Sequence, residues 1–306
     1  MAQYLIRRLT SGLGVMAALV VLVFLAAYVI GDPVSLQRNP DFFTDEEMEA
    51  MAEQLGYRRP LPEQFVDYVQ GVATGDFGIS VMQSRPANDV VLDRLPATLL
   101  LTSVAIVIVL VVSVPLALIS ARSNGRWVDQ AITTVCTALA SMPSFWIALA
   151  LIFAFSVELR WLPSGGYGGW KQLILPAIAL SALPLGHSTL VLHSAMRSEF
   201  SQYYVMVARA KGLRESTVAY RHVLRNAALV LATQIGFLVI SLTNAAVLVE
   251  TVFAWPGIGL TGLQAVEGRD LPVVTAVVVY TGVLVTVVNL VVDLAYARLD
   301  PRVRLA

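Results

Sequence analysis

The sequence predicts an all-α, polytopic membrane protein with six transmembrane helices. Hydrophobic residues make up 57% of the 306 residues and charged residues only 14%, whereas soluble domains average about 25% charged residues. Six intervals of 22 to 28 residues contain no Asp, Glu, Lys or Arg. A helix needs about 20 apolar residues to cross a bilayer, because it rises about 1.5 Å per residue.

Each charge-free interval is long enough for one crossing and too short for two. Helices are the expected form, because lipid offers the backbone polar groups no other partner. The first interval follows Arg7 and Arg8, which would also suit a signal peptide. Its apolar run exceeds the usual length of about 7–15 residues and lacks a clear cleavage site, so we interpret it as an uncleaved first helix. The intervals are 9–31, 95–121, 130–157, 172–196, 226–249 and 271–292.

The charge distribution predicts that both termini face the cytoplasm. With that orientation, the inner segments hold thirteen basic and four acidic residues, and the outer segments hold eight basic and sixteen acidic residues. Membrane proteins keep an excess of Lys and Arg on the cytoplasmic side. We therefore expect a cytoplasmic N-terminus and first span at 1–31, an extracytoplasmic segment at 32–94, a core of five spans at 95–296, and a cytoplasmic tail at 297–306.

The extracytoplasmic segment is predicted to contain short helices. Thr44 and Glu47 have the spacing of a capping box at a helix start. Phe65, Tyr68 and Val72 fall on one apolar helical face in residues 61–73. This face indicates either a helical cap that rests on other helices or on the membrane surface, or a docking surface for an outer partner.

Several polar residues and prolines in the spans are candidates for a pathway or gate. Prolines bend helices and are tolerated in membranes beside water-lined cavities, although they are also generally common in membrane helices. Hydroxyl residues such as Ser141 also serve close helix packing. The prolines are Pro115, Pro143, Pro176 and Pro184.

Two acids at the ends of spans have two interpretations each, because charge inside a membrane is costly and often functional. Glu250 either lines a cavity mouth, where it meets a cationic group of a substrate, or lies at the interface. Asp293 either has a pathway role or lies at the interface near Arg298. The candidate pathway or gate residues are thus Glu250, Asp293, Pro143 and Ser141.

The chain lacks the residues that several chemistries need. Its two lysines, Lys171 and Lys211, are not followed by Ser or Thr, so there is no phosphate-binding Walker A loop. His187 and His193 are six residues apart and fall on different helix faces, and the single Cys136 completes neither a disulfide nor a zinc site. We expect no catalytic residue, no metal and no bound cofactor, and an intramembrane enzyme is poorly supported.

The loop between the fourth and fifth spans is predicted to be a helix–turn–helix elbow. Phe200, Tyr204, Val207 and Lys211 fall near one helical face, and Gly212 then ends the helix as a glycine at C′ does. A second short helix is expected through Val218 and His222. A rigid element of this kind with small residues can fit closely into a groove on another protein.

Two motifs in this loop resemble the EAA loop of ABC importer permeases. They are Ala208-Arg209-Ala210-Lys211-Gly212-Leu213 and His222-Val223-Leu224-Arg225-Asn226, in the form typical of the dipeptide/oligopeptide branch. The general pattern has Glu where Val207 stands and Pro where Arg225 stands, and the peptide branch shares both departures.

The resemblance runs nearly from end to end of the chain, and the long outer segment matches the "B" permease of the peptide-transporter pair. Further matching motifs are Tyr4-Leu5-Ile6-Arg7-Arg8-Leu9, Gly75-Asp76-Phe77-Gly78 with Ser80, Arg94-Leu95-Pro96-Ala97-Thr98-Leu99, 249–259 and Leu299-Asp300-Pro301-Arg302.

The resemblance implies the type I (MetI-like) ABC importer permease fold in a bacterial or archaeal cytoplasmic membrane. It implies a second related permease subunit, two ATP-binding subunits that use ATP and Mg, an extracytoplasmic substrate-binding protein, contact with membrane lipid, and no nucleic acid. The loop at 197–226 would couple the ATPases to transport. Its expected coupling residues are Tyr204, Val207, Ala208, Arg209, Ala210, Lys211, Gly212, Leu213, His222, Leu224, Arg225 and Asn226.

The expected cargo is a dipeptide or oligopeptide. The alternatives are another substrate of the same family, such as glutathione, nickel or an opine, and a different class altogether, a secondary transporter. A secondary transporter more often shows inverted repeats and acids inside the membrane. No clear repeat is present, and an elbow of the EAA type has no role there.

Overall fold

The computed structural model describes residues 2–30 and 59–299. The predicted capped helix at Thr44 and the motif around Asp300 lie outside the described residues. Asp293 lies in a described helix, but its side chain is also outside the described part, as are the side chains of the Tyr4–Leu9 motif.

The described residues are almost entirely helical, which confirms the all-α fold class. Within residues 2–30 and 59–299 the only β pairing is one isolated bridge between Ile79 and Pro86. The helices are α1 (Ala2–Ile30), α2 (Leu61–Thr74), α3 (Ala87–Ser123), α4 (Trp127–Ser141), α5 (Ser144–Leu151), α6 (Trp170–Phe200), α7 (Tyr203–Ala210), α8 (Leu224–Val252), α9 (Ile258–Glu267) and α10 (Leu271–Leu299). A π-helical stretch, Ile152–Glu158, follows α5, and a turn at Glu215–Thr217 and a second π-helical stretch, Val218–Val223, precede α8.

Within residues 2–30 and 59–299, each predicted span falls on helical structure, but the third span is not one straight helix. The helix pair Trp127–Ser141 and Ser144–Glu158 is bent by 107°. Among described residues, Ala87–Ser123, Trp170–Phe200 and Leu271–Val291 are long and apolar enough to cross a membrane, and the bent pair makes up to four. Shorter apolar stretches lie in α1, at Gly14–Ala26, and in α8, at Ser241–Val252. The count of six crossings therefore stays a prediction.

The prolines in the spans occupy two kinds of position. Pro143 lies between α4 and α5, where extended backbone at Met142 and Pro143 makes the bend. Pro176 and Pro184 lie buried inside α6, which runs unbroken from Trp170 to Phe200. The break thus occurs where the residue before a proline also leaves the helical region, as the steric restriction on that residue favours.

The described chain forms two compact units. The first comprises the chain up to Pro96 with Gly257–Thr286, and the second comprises Ala97–Pro256 with the chain from Val287 onwards. In the first unit, Phe65 and Tyr68 of α2 pack on Phe24 of α1, with ring centroids 5.1 and 5.4 Å apart. Part of the predicted apolar face of α2 is therefore used inside this unit. The core of the unit consists of Ala87, Val90, Val91, Ile258, Ala265, Val273 and Ala276.

A buried polar contact fastens the segment before α3 to the start of α10 within the first unit. Asp270 Oδ2 accepts hydrogen bonds from Ser80 Oγ at 2.5 Å and from the backbone N–H of Met82 at 3.2 Å. Both Ser80 and Asp270 are only 1% exposed. We call this pair, Ser80 and Asp270, the clasp. It gives Ser80 of the predicted outer signature a structural role.

The second unit packs α4, α5 and α8 against α6 around two apolar clusters. At Gly186 of α6, an added Cβ would lie 2.3 Å from the carbonyl oxygen of Cys136 in α4. Only glycine permits this approach of the two helices. The second cluster lies beneath the elbow and joins α3, α6, α7 and the start of α8.

Candidate functional site: the elbow between the fourth and fifth spans

The first arm of the elbow is α7, and a sharp break separates it from α6. Ser201 Oγ donates to the Ser198 carbonyl at 2.7 Å, and Gln202 is extended with ψ at 149°. The sequence predicted one continuous helical face from Phe200 to Lys211. That prediction is wrong at Ser201 and Gln202, because backbone at Gln202 leaves the helical region and α7 starts afresh at Tyr203.

Gly212 ends α7, as predicted. Its φ of +74° lies in the left-handed region that favours glycine. The Gly212 N–H donates to the Arg209 carbonyl at 2.9 Å, and the Leu213 N–H donates to the Ala208 carbonyl at 3.3 Å. These two bonds form a Schellman motif, which satisfies carbonyls that the helix end would otherwise leave free.

The second arm differs from the separate short helix expected through Val218 and His222. One helical turn begins at Glu215, continues as the π-helical stretch Val218–Val223 and passes without a break into α8. Glu215 favours this start, because an acid in the first turn complements the helix dipole. The second arm is therefore continuous with α8, the helix of the fifth predicted span.

The packing of α7 separates its faces. Val205 and Ala208 are buried in one cluster with Val218, Ala219 and Val223. Tyr203 and Met206 on the opposite side are 74% and 59% exposed. Ala208, expected from the motif to be a coupling residue, thus faces the interior of the unit. We define the elbow surface as Tyr203, Met206, Ala210 and Leu213, all of them exposed.

The other predicted coupling residues lie at the rim or the base of the elbow. Tyr204, Val207, His222 and Leu224 are half-buried. The remaining ones are exposed, and they are Arg209, Lys211, Gly212, Arg225 and Asn226. Both sequence motifs thus belong to the elbow: the first ends in the glycine turn after α7, and the second lies where the π-helical stretch passes into α8.

A polar network connects the three helices that meet at the elbow. Tyr204 Oη donates to Glu199 Oε2 at 2.5 Å, and Asn226 Nδ2 lies 3.2 Å from the same oxygen and 3.0 Å from Tyr204 Oη. Burial raises the pKa of the Tyr204 hydroxyl, and its hydrogen bond to Glu199 raises the pKa further. Tyr204 therefore keeps its proton at neutral pH.

An exposed ion pair spans the glycine turn. Arg209 Nε and Nη2 donate to the two oxygens of Glu215 at 2.8 and 3.2 Å. The hydrogen bond from Arg209 lowers the pKa of Glu215. Both side chains are about half exposed, at 46% and 48%, so the pair contributes little to stability.

The candidate pathway residues do not converge in the way that the elbow residues do. Ser141 ends α4 and Pro143 lies in the bend before α5. Both are exposed, and Ser141 Oγ donates to the Thr137 carbonyl at 2.8 Å. Glu250 is fully buried at 0% exposure and accepts a hydrogen bond from Thr98 Oγ1 at 2.6 Å. Glu250 is thus enclosed within the second unit, and its pathway role stays a prediction.

The sequence missed a buried cluster around Asp129, which was expected only as an inner-loop acid. Asp129 accepts hydrogen bonds from Ser120 Oγ at 2.6 Å and the Gly125 N–H at 2.7 Å. His193 Nε2 lies 3.1 Å from Asp129 Oδ1 without the alignment of a hydrogen bond, and Arg197 Nη1 lies 3.8 Å from Oδ2. His193 and Arg197, four apart in sequence, share one face of α6 towards Asp129, and that spacing was the available signal.

Comparison with solved structures first defines the class. A chain of an inward-facing structure of the MetNI methionine ABC transporter superposes with a TM-score of 0.57 at 17% identity, and the match covers 69% of this chain and 96% of that one. At this identity the likeness concerns the fold alone. The fold is that of a type I ABC importer permease, as the resemblance implied.

Comparison of sequences then gives the family. The profile of the binding-protein-dependent transport system inner membrane component matches residues 113–305, and the profile of the N-terminal part of such components matches residues 1–102. The chain belongs to the family of binding-protein-dependent transport system inner membrane components. It is a multi-pass membrane protein and a permease subunit of an ABC importer.

Curated relatives match over the whole chain. A Brucella suis protein named as a peptide permease is 36% identical over 320 residues, covering 99% of both chains. The oligopeptide transport system permease protein AppB of Bacillus subtilis and the glutathione transport system permease protein GsiC of Escherichia coli are each 34% identical, also with 99% coverage of both chains. This membership decides against the secondary transporter.

Proposed function

We propose that this permease forms half of a pathway for dipeptides or oligopeptides that an extracytoplasmic binding protein delivers. The names of relatives at 34–36% identity over the full chain support a peptide cargo. A second related permease would supply the other half. The charge distribution supports cytoplasmic termini and a cytoplasmic elbow.

The exposed apolar elbow surface is the observation that carries the coupling role. Tyr203, Met206, Ala210 and Leu213 are exposed, while Val205 and Ala208 on the other face are packed inside the unit. An apolar face on a rigid short helix suits the groove of a partner protein. We assign this surface to contact with one of two ATP-binding subunits.

In this assignment the chain itself hydrolyses nothing. Neither Lys171 nor Lys211 is followed by Ser or Thr, so neither belongs to a Walker A loop. The two ATP-binding subunits hold ATP and Mg, and their closure moves the elbow. Because the second arm continues directly into α8, that movement reaches the fifth span, and the bundle switches between inward- and outward-facing states.

The cargo itself is proposed from the names of the relatives. Ser141 and Pro143 at the bend are our candidates for a gate, with Asp293 as a further candidate. Glu250 would contact cargo only in a state that exposes it. Glutathione, nickel and opines remain the alternative cargoes within the family. Binding measurements on the partner binding protein with each cargo decide among them.

The coupling role is tested by Gly212→Val, with Gly212→Asn as the matched control. Valine is strained at a φ of +74°, whereas asparagine tolerates the left-handed region. The complete transporter is reconstituted in vesicles, and ATP hydrolysis and uptake are measured together. We expect Gly212→Val to uncouple hydrolysis from uptake while the protein stays in the membrane, and Gly212→Asn to remain coupled. Normal uptake by Gly212→Val would refute the elbow assignment.

A further inference from the structure

We propose that Glu199, together with Tyr204 and Asn226, positions the elbow so that movement of α7 reaches both long helices. This inference rests on the proposed contact of the elbow with an ATP-binding subunit. Glu199 comes from the end of α6, Tyr204 from α7 and Asn226 from the start of α8. Glu199 lies outside both motifs of the elbow.

The three side chains form a consistent set of donors and acceptors. The Tyr204 hydroxyl donates to Glu199 Oε2 at 2.5 Å, and the Asn226 amide approaches Glu199 Oε2 at 3.2 Å and Tyr204 Oη at 3.0 Å. An ionised carboxylate only accepts, an amide nitrogen only donates, and a phenol does both. Glu199 is thus the common acceptor, and its charge strengthens the bonds that it receives.

The backbone alone connects α7 weakly to its neighbours. On one side, Ser201 and Gln202 interrupt the helix, and Gln202 is extended. On the other side, the turn at Gly212 leads to extended backbone at Arg214. A short helix between two such joints can pivot unless other contacts restrain it.

The remaining contacts of α7 restrain it incompletely. Val205 and Ala208 pack in the apolar cluster, but apolar burial is non-directional and sets the orientation of a helix less strictly than hydrogen bonds do. The Arg209–Glu215 pair crosses only the glycine turn and is half exposed. The Glu199–Tyr204–Asn226 network is directional and joins α7 to both α6 and α8. The network therefore fixes the orientation of α7 relative to α6 and α8.

The test compares Tyr204→Phe with Tyr220→Phe in the complete reconstituted transporter. Tyr220 is an exposed tyrosine of the same loop outside the elbow surface. We expect Tyr204→Phe to lower uptake per ATP hydrolysed by about tenfold, the factor for one hydrogen bond to a charged group. Tyr220→Phe is expected to leave this ratio unchanged.

Two variants of Glu199 separate positioning from a direct contact of its charge with the ATP-binding subunit. Glu199→Gln keeps an acceptor oxygen for Tyr204, whereas Glu199→Ala removes it. We expect Glu199→Ala to lower uptake per ATP hydrolysed as much as Tyr204→Phe does. Glu199→Gln is expected to retain most of the parent's uptake per ATP hydrolysed. An equal loss in both Glu199 variants would overturn the positioning role.

The melting temperature and Gly212→Val complete the design. If Tyr204→Phe lowers hydrolysis and uptake equally together with the melting temperature, the network is merely structural and the inference fails. If Gly212→Val uncouples but Tyr204→Phe does not, the inference fails while the proposed function stands. If neither uncouples, the proposed function fails as well.

Discussion

The clasp and the elbow each contain residues that the sequence motifs marked, Ser80 in the clasp and 208–213 in the elbow, but the two regions differ in burial. Ser80 and Asp270 of the clasp are each 1% exposed. In the elbow, Arg209 and Glu215 are about half exposed, and Asn226 is exposed. Removing one partner of a buried hydrogen bond to a carboxylate lowers stability strongly, whereas removing one partner of an exposed ion pair lowers it little. The clasp is therefore expected to contribute more to stability than the elbow, whose polar side chains stay exposed.

Removal of the clasp carboxylate should give the largest loss of stability. Asp270→Ala leaves the Ser80 hydroxyl and the Met82 N–H without their buried acceptor. We expect the free energy of unfolding to fall by about 3 kcal/mol, measured by denaturant titration in detergent. Asp270→Asn, which keeps an acceptor oxygen, should lose clearly less. Equal stability of Asp270→Ala and the parent would show that the clasp does not hold this unit together.

A charge on the elbow surface should act on assembly and leave stability intact. Met206→Asp places a carboxylate on the proposed contact surface, where Met206 is 59% exposed. We expect affinity for the ATP-binding subunits to fall by about 2 kcal/mol, or roughly thirtyfold, measured by titration of the purified subunits. Gln202→Asp adds the same charge at an exposed position before α7 and is the control. If Met206→Asp lowered the melting temperature but left the affinity unchanged, Met206 would serve the stability of the fold and the contact assigned to the elbow surface would be wrong.

The hydroxyl of the clasp should matter less than its carboxylate. Ser80→Ala removes one hydrogen bond to Asp270, while the Asp270 carboxylate still accepts the hydrogen bond from the Met82 N–H. A loss of about 1.5 kcal/mol in the free energy of unfolding is expected. The same titration measures it, with Ser84→Ala, an exposed serine nearby, as the reference. A loss larger than that of Asp270→Ala would contradict the central role of the carboxylate.

The smallest effect should come from the exposed ion pair of the elbow. Glu215→Gln is expected to lower the free energy of unfolding by less than about 0.5 kcal/mol. The pKa of Glu215 is lowered in the fold by Arg209, so its contribution is present above the ordinary glutamate pKa and is lost as pH falls through the folded value. The difference in melting temperature between parent and variant should therefore vanish in acid. A difference that grows on acidification would contradict this pairing.

Much of the elbow was predictable because its signals are local. The glycine turn requires a left-handed residue after α7, and Gly212 adopts this conformation as predicted. The break at Ser201 and Gln202 was not predictable, since the periodicity of Phe200, Tyr204 and Val207 continues across it. The π-helical start of α8 was missed as well, because no residue type marks such a helix.

Long-range polar contacts were not predictable. Ser80 and Asp270 are 190 residues apart, and the sequence suggested only that Ser80 belonged to an outer signature. Glu250 was interpreted as a pathway or interface residue, and its burial with Thr98 depends on packing between α3 and α8. The cluster around Asp129 joins α4 to α6. From the sequence, Asp129 was assigned only to the acidic residues of the cytoplasmic segments.

The sequence by itself determined that this chain is helical, lies in a membrane, and resembles the permeases to whose family it belongs. Those properties follow from the length of the apolar intervals, the distribution of charged residues and the short motifs. Each of these depends only on residues that are near one another in the sequence. Only the tertiary structure decided that Ala208 faces inward while Met206 faces outward, and that Glu199 joins Tyr204 and Asn226. The physical reason is that burial and hydrogen bonding depend on which helices meet, and distant segments supply those neighbours.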